Sequence, residues 1–411
     1  MTPSRTVHRS LGWLLAAAWA LSFPLFSALE PHRLWGWCAA AGYLAAAVAT
    51  RFGRRGALAA ALLGAVVLPL VWLVLTGQGQ SEVTVIERSG RLLLESGRPY
   101  VDQPARVEEY TPYLPGMALL GIPRALLGGD GGSWPVRLLG DARIWCAAVL
   151  FGCLWAARRV LGGARPVLPA VLVASPVVAL PLAVSGVDLP LAGLCCLALA
   201  AAAGGRPALA GAALAGACAL KWTALPAVAV AVALLAACRG GRAAGRCALV
   251  AAAGTVLLVL PGALLQPGEL WRQVFAFPTG RAEVATPASS PLPGRLLAEL
   301  GDWGWYLTAG LFVLGGLVVA LSLLVRPPRS LVAAADRLAL GLTLAFLLAP
   351  AGRFGYLALP LLLAVWARSA AVPGASRIVT GSFRTLRTRR ADGPGDGPAE
   401  GPAEGRDTRS A

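Results

Sequence analysis

The acidic residues of this chain are concentrated in one segment. Between residues 77 and 135 lie seven of its 20 carboxylates: Glu82, Glu87, Glu95, Asp102, Glu108, Glu109 and Asp130. A carboxylate beside apolar surface is costly unless it has a partner or a function. One such function is general-base catalysis, in which the carboxylate accepts the proton of an attacking hydroxyl.

Glu82 is the strongest candidate for a functional carboxylate. At about 100° per residue, residues 81–96 form an amphipathic helix. Its charged side comprises Glu87, Arg88, Arg91 and Glu95. Glu82 projects instead among apolar side chains such as Ile86. The structural alternative is that Ser81 caps the helix and Glu82 is stabilised in the first turn by the helix dipole.

Two basic residues could bind a phosphate. Lys221, in ALKWTALP, is the single lysine among 36 basic residues and lies at a proline-broken junction between apolar runs. A compact ammonium at a broken helix end is a natural phosphate partner. Arg353, in APAGRFGYLALP, lies in a tight turn where a lipid phosphate would sit. The alternatives are a lysine that snorkels to the interface and an ordinary loop arginine.

Further polar residues are candidate substrate contacts. Tyr100, Tyr110 and Tyr113 are expected at the headgroup level, which favours aromatic residues, and either a generic interfacial role or stacking on a sugar would suit them. The other candidates are the carboxylates Asp102, Glu108 and Glu109. Asp188, in SGVDLP, is interpreted as the cap of the apolar segment that follows.

The residue types predict neither a disulfide framework nor a metal centre. All eight cysteines lie in or at the ends of apolar segments, and none is placed to pair in an outward loop. The two histidines, His8 and His32, fall on opposite sides of the first apolar segment, which excludes a histidine-based metal site. The carboxylates could still bind Mg²⁺ or Mn²⁺ weakly.

The whole composition is that of a membrane protein. Of 411 residues, 57% are hydrophobic and 14% charged, and the mean hydropathy is +0.68; soluble domains have about 25% charged residues. A spanning helix needs roughly 20 apolar residues. We therefore predict an all-α, polytopic bundle of about twelve spans, at 11–29, 34–50, 57–76, 136–157, 166–184, 189–204, 207–220, 223–238, 247–266, 303–325, 332–350 and 355–371.

Basic residues indicate the orientation of the bundle. The short loops around Arg51, Arg158, Arg239 and Arg326 all come out on the cytoplasmic side if the N-terminus is inside, and cytoplasmic loops collect lysine and arginine. Both termini are therefore expected in the cytoplasm and the protein in the cell membrane. The net charge of +16 reflects this topology and attraction to anionic lipid; no soluble basic face for nucleic acid is visible.

Domain boundaries follow from the spans. The expected regions are anchor helices at 1–56, the main membrane domain at 57–371, and a basic and then disordered cytoplasmic tail at 372–411. Two long outer loops are expected, at 77–135 and 267–302. In the first of them, 81–96 and the proline-broken run 114–127 suit interfacial helices, the second lying at or dipping into the membrane surface.

Three stretches resemble glycosyltransferase family 87, a group of GT-C-fold membrane enzymes that includes polyprenyl-phosphate-mannose-dependent mannosyltransferases. They are SEVTVIERSGRLLLESGRPY, EYTPYLPGMALLGIPRALLG and ALKWTALP. The family's motif positions are filled by Glu82, Gly97, Tyr100, Tyr110, Pro112, Lys221 and Pro226. The resemblance covers roughly residues 60–365. The chain departs from the pattern with Glu82 for an aspartate, Ile86 for a tyrosine, and Arg353 with no histidine in a late turn.

The resemblance implies a transferase that moves mannose, or another hexose or pentose, from a polyprenyl-phosphate donor to a lipid or cell-envelope glycan acceptor on the outer face. Glu82 would be the base, and Lys221 and Arg353 would stabilise the phosphate. The reaction would invert the anomeric centre without a required metal. A secondary transporter and a non-catalytic envelope-assembly protein are the alternatives, although charges crowded at the outer ends of the spans do not fit a carrier.

Overall fold

The computed structural model describes residues 3–128, 132–163 and 167–371. The chain divides into two units, Met1–Ala371 and Val372–Ala411. The second unit, where the sequence predicts a basic and then disordered tail, lies outside the described residues. All of the described helices belong to the first unit.

The described residues fold as helices joined by turns, which confirms the all-α prediction. In chain order the helices are α1 (Pro3–Phe26), α2 (Glu30–Ala49), α3 (Arg54–Leu62), α4 (Leu68–Leu75), α5 (Ser81–Ser96), α6 (Ile122–Leu126), α7 (Trp134–Gly140), α8 (Ala142–Val160), α9 (Val167–Ala174), α10 (Pro176–Val184), α11 (Leu189–Ala203), α12 (Pro207–Leu220), α13 (Leu225–Arg239), α14 (Gly241–Leu265), α15 (Pro267–Leu270), α16 (Pro293–Ala298), α17 (Asp302–Val325), α18 (Leu331–Leu348) and α19 (Ala358–Ala370). A π turn, Leu63–Val67, joins α3 to α4.

Several of these helices can cross a membrane, so the protein is a multi-pass membrane protein. Six described segments are long and apolar enough: Arg9–Phe26, Arg54–Leu75, Trp222–Arg239, Gly241–Leu265, Asp302–Val325 and Leu331–Leu348. The pair α7 and α8, bent by 57°, gives a seventh if it counts as one span. The expected twelve are not confirmed, because α11 and α12 have only 15 and 14 residues and α9 and α10 are separated at Ser175.

Helix α11 lies in the core of the bundle. Most of its residues are buried, as expected for a helix that is apolar all round, and it packs against α8, α12 and α13. Small residues bring helices close elsewhere in the core: a Cβ added to Gly42 of α2 would lie only 2.6 Å from the Cα of Gly64. Such contacts are typical of membrane helices, which pack without a hydrophobic driving force.

The long loop at 77–135, called the first outer loop after its expected orientation, folds back onto the ends of the membrane helices. Gln80 N–H donates to Val184 O at 2.9 Å, at the end of α10. Leu114 N–H donates to Leu220 O at 3.0 Å, at the end of α12. These bonds satisfy backbone groups that the helix ends leave unpaired, and they bring the start of α5 to the same end of the bundle as Lys221.

The predicted helix over 81–96 is confirmed as α5. Its cap differs from the expectation: Gln80 occupies the N-cap position, so capping by Ser81 is wrong. Gly97 ends the helix with φ of 72°, a left-handed conformation that glycine adopts without strain.

The run 114–127 does not lie on the membrane surface as one helix. It forms a 3₁₀ turn, Pro115–Leu120, whose first four residues are buried, followed by the short α6. Gly121 allows α5 to pack against this turn, because an added Cβ would overlap the backbone carbonyl of Ile86. The buried 3₁₀ turn therefore supports α5 directly.

Candidate active site

Glu82, in the first turn of α5, forms an ion pair with Arg353 from the turn between α18 and α19. Their side chains are 17% and 30% exposed. Burial is the largest single influence on the pKa of Arg353 and lowers it, but the interactions with Glu82, Tyr356 and Tyr113 together outweigh burial, so the pKa is raised. Glu82 Oε1 contacts the guanidinium, whereas Oε2 is buried and has no hydrogen-bond partner among the described residues. That oxygen can accept a proton from a bound substrate.

The second outer loop fixes the turn that bears Arg353. Ser289 and Gly352 form an isolated parallel bridge. Gly352 N–H donates to Ala288 O at 3.0 Å, and Ser290 N–H donates to Gly352 O at 3.0 Å. The backbone immediately before Arg353 is therefore held by two hydrogen bonds from a segment more than sixty residues earlier in the chain.

Lys221 lies between α12 and the 3₁₀ turn Trp222–Ala224, in an extended conformation that ends α12. Its Nζ forms an ion pair with Asp188 and lies 4.9 Å from the ring centre of Tyr113. The side chain is only 13% exposed, so the snorkelling alternative is wrong. Burial is the largest single influence on the pKa of Lys221 and lowers it, but the interactions with Asp188, Tyr356 and Glu82 together outweigh burial, so the pKa is raised. The ammonium is therefore charged at neutral pH.

The interpretation of Asp188 as a helix cap is wrong. It occupies the N-cap position of α11, but its side chain accepts no capping hydrogen bond and pairs with Lys221 instead. The sequence contained a signal for this pair. Asp188 is the only acidic residue between Asp141 and Glu269, and Lys221 is the only lysine. Ionisable side chains in apolar surroundings tend to pair with one another.

The two ion pairs belong to one cluster. The Tyr113 ring lies 4.9 Å from Lys221 Nζ. Burial raises the pKa of the Tyr113 hydroxyl, and the carboxylates of both pairs, Glu82 and Asp188, raise it further. Tyr356, three residues after Arg353, interacts electrostatically with both cations. We call the six residues Glu82, Tyr113, Asp188, Lys221, Arg353 and Tyr356 the ion-pair cluster.

A buried ion pair that sequence reasoning missed holds α8 against α10. Arg143 donates to Asp141 through Nε and Nη2, both at 2.8 Å, and both side chains are nearly inaccessible. Its Nη1 also donates to Ala183 O at 3.0 Å. Because a bidentate arginine fixes a planar geometry, this pair positions the segment that leads from α10 to Asp188.

Glu87, on the charged side of α5, packs into the protein rather than facing solvent. Its Oε1 accepts the Ala142 N–H at 3.1 Å, and its Oε2 lies 3.7 Å from Arg124 Nε. Burial and the nearby Asp141 raise the pKa of Glu87 to about 7, although the Ala142 N–H, Arg124 and Arg143 lower it. Glu87 therefore titrates near neutral pH and joins α5 to α8.

The three candidate tyrosines are buried, so their rings pack within the protein and do not face lipid headgroups. The Tyr100 hydroxyl donates to Tyr113 O at 2.9 Å, and Tyr100 N–H donates to Gln266 Oε1 at 3.2 Å. Tyr110 stacks on Phe277 with ring centres 4.3 Å apart. Of the three, Tyr113 belongs to the ion-pair cluster, and the Tyr100 hydroxyl supports the Tyr113 backbone.

The other candidate carboxylates make contacts within the outer loops. Asp102 Oδ1 accepts a hydrogen bond from Gln266 Nε2 at 2.9 Å. Glu109 accepts two backbone N–H groups and the Arg106 guanidinium in its own turn. Glu108 contributes its backbone oxygen to an arginine of α5. These contacts stabilise the first outer loop rather than the Glu82–Arg353 pair.

The ion-pair cluster contains two carboxylates that could act as metal ligands. Within residues 3–128, 132–163 and 167–371, no three His, Cys, Asp or Glu side chains are grouped as metal ligands. Glu82 and Asp188 are the cluster residues that could contact a cation, and each is paired with a basic side chain.

Comparison with known proteins identifies the family. The model of Glycosyltransferase family 87 matches residues 110–350. The matched region contains Tyr113, Asp188 and Lys221, whereas Glu82 lies before it and Arg353 just after it. No curated protein and no solved structure matches the chain. Because the match covers more than half of the 411 residues, the chain belongs to glycosyltransferase family 87 and is a membrane glycosyltransferase.

Proposed function

We propose that this enzyme moves a hexose or pentose, mannose foremost, from a polyprenyl-phosphate donor to a lipid or glycan acceptor of the cell envelope, at the outer face of the membrane. The observation that carries the proposal is the joining of Glu82, Arg353, Lys221 and Asp188 in one cluster. Lys221 and Arg353 both lie at ends of membrane helices. A lipid-linked donor places its phosphosugar at that depth, because its chain stays in the bilayer.

Lys221 and Arg353 are the groups that would bind the donor phosphate. Without a donor each is paired with a carboxylate, so the cluster is close to neutral. The phosphodiester of the donor has one negative charge, and a second develops as the polyprenyl phosphate departs. Cations that are already in place stabilise such developing charge without reorganisation.

Glu82 would act as the general base. The acceptor hydroxyl oxygen attacks the anomeric carbon, and the bond from that carbon to the phosphate oxygen breaks. The electron pair leaves with the polyprenyl phosphate, and the hydroxyl proton passes to Glu82 Oε2, the carboxylate oxygen without a partner among the described residues. Displacement from the opposite face inverts the anomeric configuration. A general base typically contributes about 10²–10⁴-fold in rate, and the step requires no cofactor.

The two alternatives have less support. Secondary transporters bind their substrates near the bilayer midplane, between two similar halves, whereas the ion-pair cluster lies at the ends of helices. Membership of a glycosyltransferase family supports chemistry over transport or passive assembly. Sugar uptake into proteoliposomes without transfer would favour the carrier.

The test is a transfer assay with the purified full-length protein in lipid nanodiscs and a panel of polyprenyl-phosphate sugars. We expect Glu82→Gln to lower turnover about 10²–10⁴-fold with normal expression and membrane insertion. Glu95→Gln is the matched control, because Glu95 is exposed on the same helix. Near-normal turnover of Glu82→Gln would remove Glu82 as the base, and absence of transfer by the wild type from every donor would refute the donor class.

A further inference from the structure

The hairpin of α1 and α2 precedes the matched family region, yet it reaches the candidate active site. His32, in the first turn of α2, lies with Nε2 2.6 Å from Gln80 Nε2 and Nδ1 3.4 Å from Ser27 Oγ. The ring also packs edge-on against Phe23, with ring centres 5.6 Å apart. Three contacts therefore fix the orientation of this imidazole.

Gln80 connects His32 to the catalytic helix. It is the N-cap residue of α5 and lies two positions before Glu82. Its N–H donates to Val184 O at 2.9 Å, and its carbonyl accepts the Val83 N–H at 3.0 Å. The Gln80 backbone is thus part of the first turn of α5, while its side chain is held by His32. Displacement of the Gln80 side chain would therefore shift the first turn of α5, which bears Glu82.

The protonation of His32 suits this contact. An amide nitrogen only donates, so Nε2 of His32 accepts and the ring proton lies on Nδ1, facing Ser27 Oγ. Burial lowers the pKa of His32 and outweighs the carboxylate of Glu82, which raises it; the guanidinium of Arg353 lowers it further. The ring is therefore neutral at pH 7 and keeps its acceptor.

We propose that His32 is a positioning residue of the active site: it holds the Gln80 side chain and thereby fixes the start of the helix that bears Glu82. The proposal rests on the function proposed above. It makes the α1–α2 hairpin a part of the catalytic site as well as a membrane anchor. The acid–base group of the reaction remains Glu82, and His32 acts on it through Gln80.

Other residues attach the hairpin to the bundle, so His32 is not needed for attachment. Trp35 Nε1 donates to Ala65 O at 2.8 Å, and the Tyr43 hydroxyl donates to Ala174 O at 2.8 Å. Both side chains are fully buried. Tyr43→Phe therefore provides a matched control, which removes one buried hydrogen bond of α2 away from the site.

The experiment compares His32→Leu, His32→Gln and Tyr43→Phe in the full-length enzyme. We expect His32→Leu to lower kcat about tenfold with the donor KM within about twofold, because small misplacements of a catalytic group are costly. His32→Gln restores an acceptor and should return kcat to within about threefold of wild type. Tyr43→Phe should leave both constants unchanged.

A double variant, His32→Leu/Gln80→Leu, tests whether the two residues act together. Its kcat should fall no further than that of either single variant. Equal losses for His32→Leu and His32→Gln, or additive losses in the double variant, would overturn the proposal.

A second readout separates this proposal from the proposed reaction. Amide hydrogen exchange over residues 81–86 should accelerate in His32→Leu and stay at the wild-type rate in His32→Gln and Tyr43→Phe. Unchanged exchange in His32→Leu refutes positioning whatever the enzyme transfers. If the wild type transfers no sugar from any donor while exchange responds as expected, the proposed reaction fails and the positioning role stands.

Discussion

Glu82 and Arg353 form an ion pair although they are 271 residues apart in the chain. Glu82 precedes the matched family region, and Arg353 follows it. The second pair, Lys221 with Asp188, lies wholly inside that region. The site thus combines a pair from within the family match with a pair formed by the segments that flank it.

Arg353 should be needed for donor binding and for departure of the phosphate. We expect Arg353→Met to lower kcat/KM for the donor about 10²–10³-fold, the usual effect of losing one group that stabilises developing charge. Arg353→Lys should retain part of the activity, because it keeps the charge but loses the planar fork. Steady-state kinetics with varied donor measure this, with exposed Arg91→Met as the control. Equal kinetics for Arg353→Met and wild type would contradict the assignment.

The Lys221–Asp188 pair should contribute to both activity and stability. Removing one partner leaves a charge in a partly buried site, so Lys221→Met and Asp188→Asn should each lower the melting temperature. The double variant should lose less than the sum of the two single variants, since the partners contact each other. Lys221→Met should also lower kcat/KM about 10²-fold or more. Strictly additive melting shifts, measured by thermal unfolding in one detergent, would show that the pair is not formed.

Glu87 should make stability fall as the pH rises. Its pKa is about 7 in the folded protein against 4.5 for the free side chain. Between these values the folded state binds more protons than the unfolded state, so stability decreases with pH and the loss is complete above about pH 7, amounting to at most about 3 kcal/mol. Glu87→Gln keeps an acceptor for the Ala142 N–H and should remove this slope. Melting temperatures from pH 5 to 8 test it, with Glu95→Gln retaining the wild-type slope; a Glu87→Gln curve parallel to wild type would refute the cause.

The cluster should face the outside of the cell. In a Cys238→Ala background, which removes the exposed native thiol, Ala105→Cys in the first outer loop should react with an impermeant maleimide on intact cells. Phe52→Cys, exposed in the turn between α2 and α3, should react only after permeabilisation. The reverse pattern would place the proposed chemistry in the cytoplasm.

The sequence identified three of the four charged residues of the two ion pairs for a physical reason. Glu82 lies on the apolar side of an amphipathic helix, Lys221 is the only lysine, and Arg353 interrupts an apolar run. Charges are rare in such surroundings, so each is conspicuous. Which charge meets which depends on the tertiary fold, however. The isolation of Asp188 and Lys221 is a signal for their pairing, whereas nothing in the sequence pairs Glu82 with Arg353.

Residues whose role depends on long-range packing were missed or misplaced. Asp188 fits the pattern of a helix cap, and its pairing with Lys221 requires α11 and α12 to lie side by side. The tyrosines satisfy the composition of an interfacial belt but are buried by the folding back of the first outer loop. The number of spans was not confirmed because apolar composition does not reveal where α9 and α10 separate.

The bridge between Ser289 and Gly352 has a consequence for the coupling between donor binding and acceptor binding. This bridge joins Ser289 of the second outer loop to Gly352, the residue before Arg353. If Arg353 binds the donor phosphate as proposed, an acceptor that shifts this loop would change the affinity for the donor. By thermodynamic reciprocity, the donor would alter acceptor affinity by the same factor.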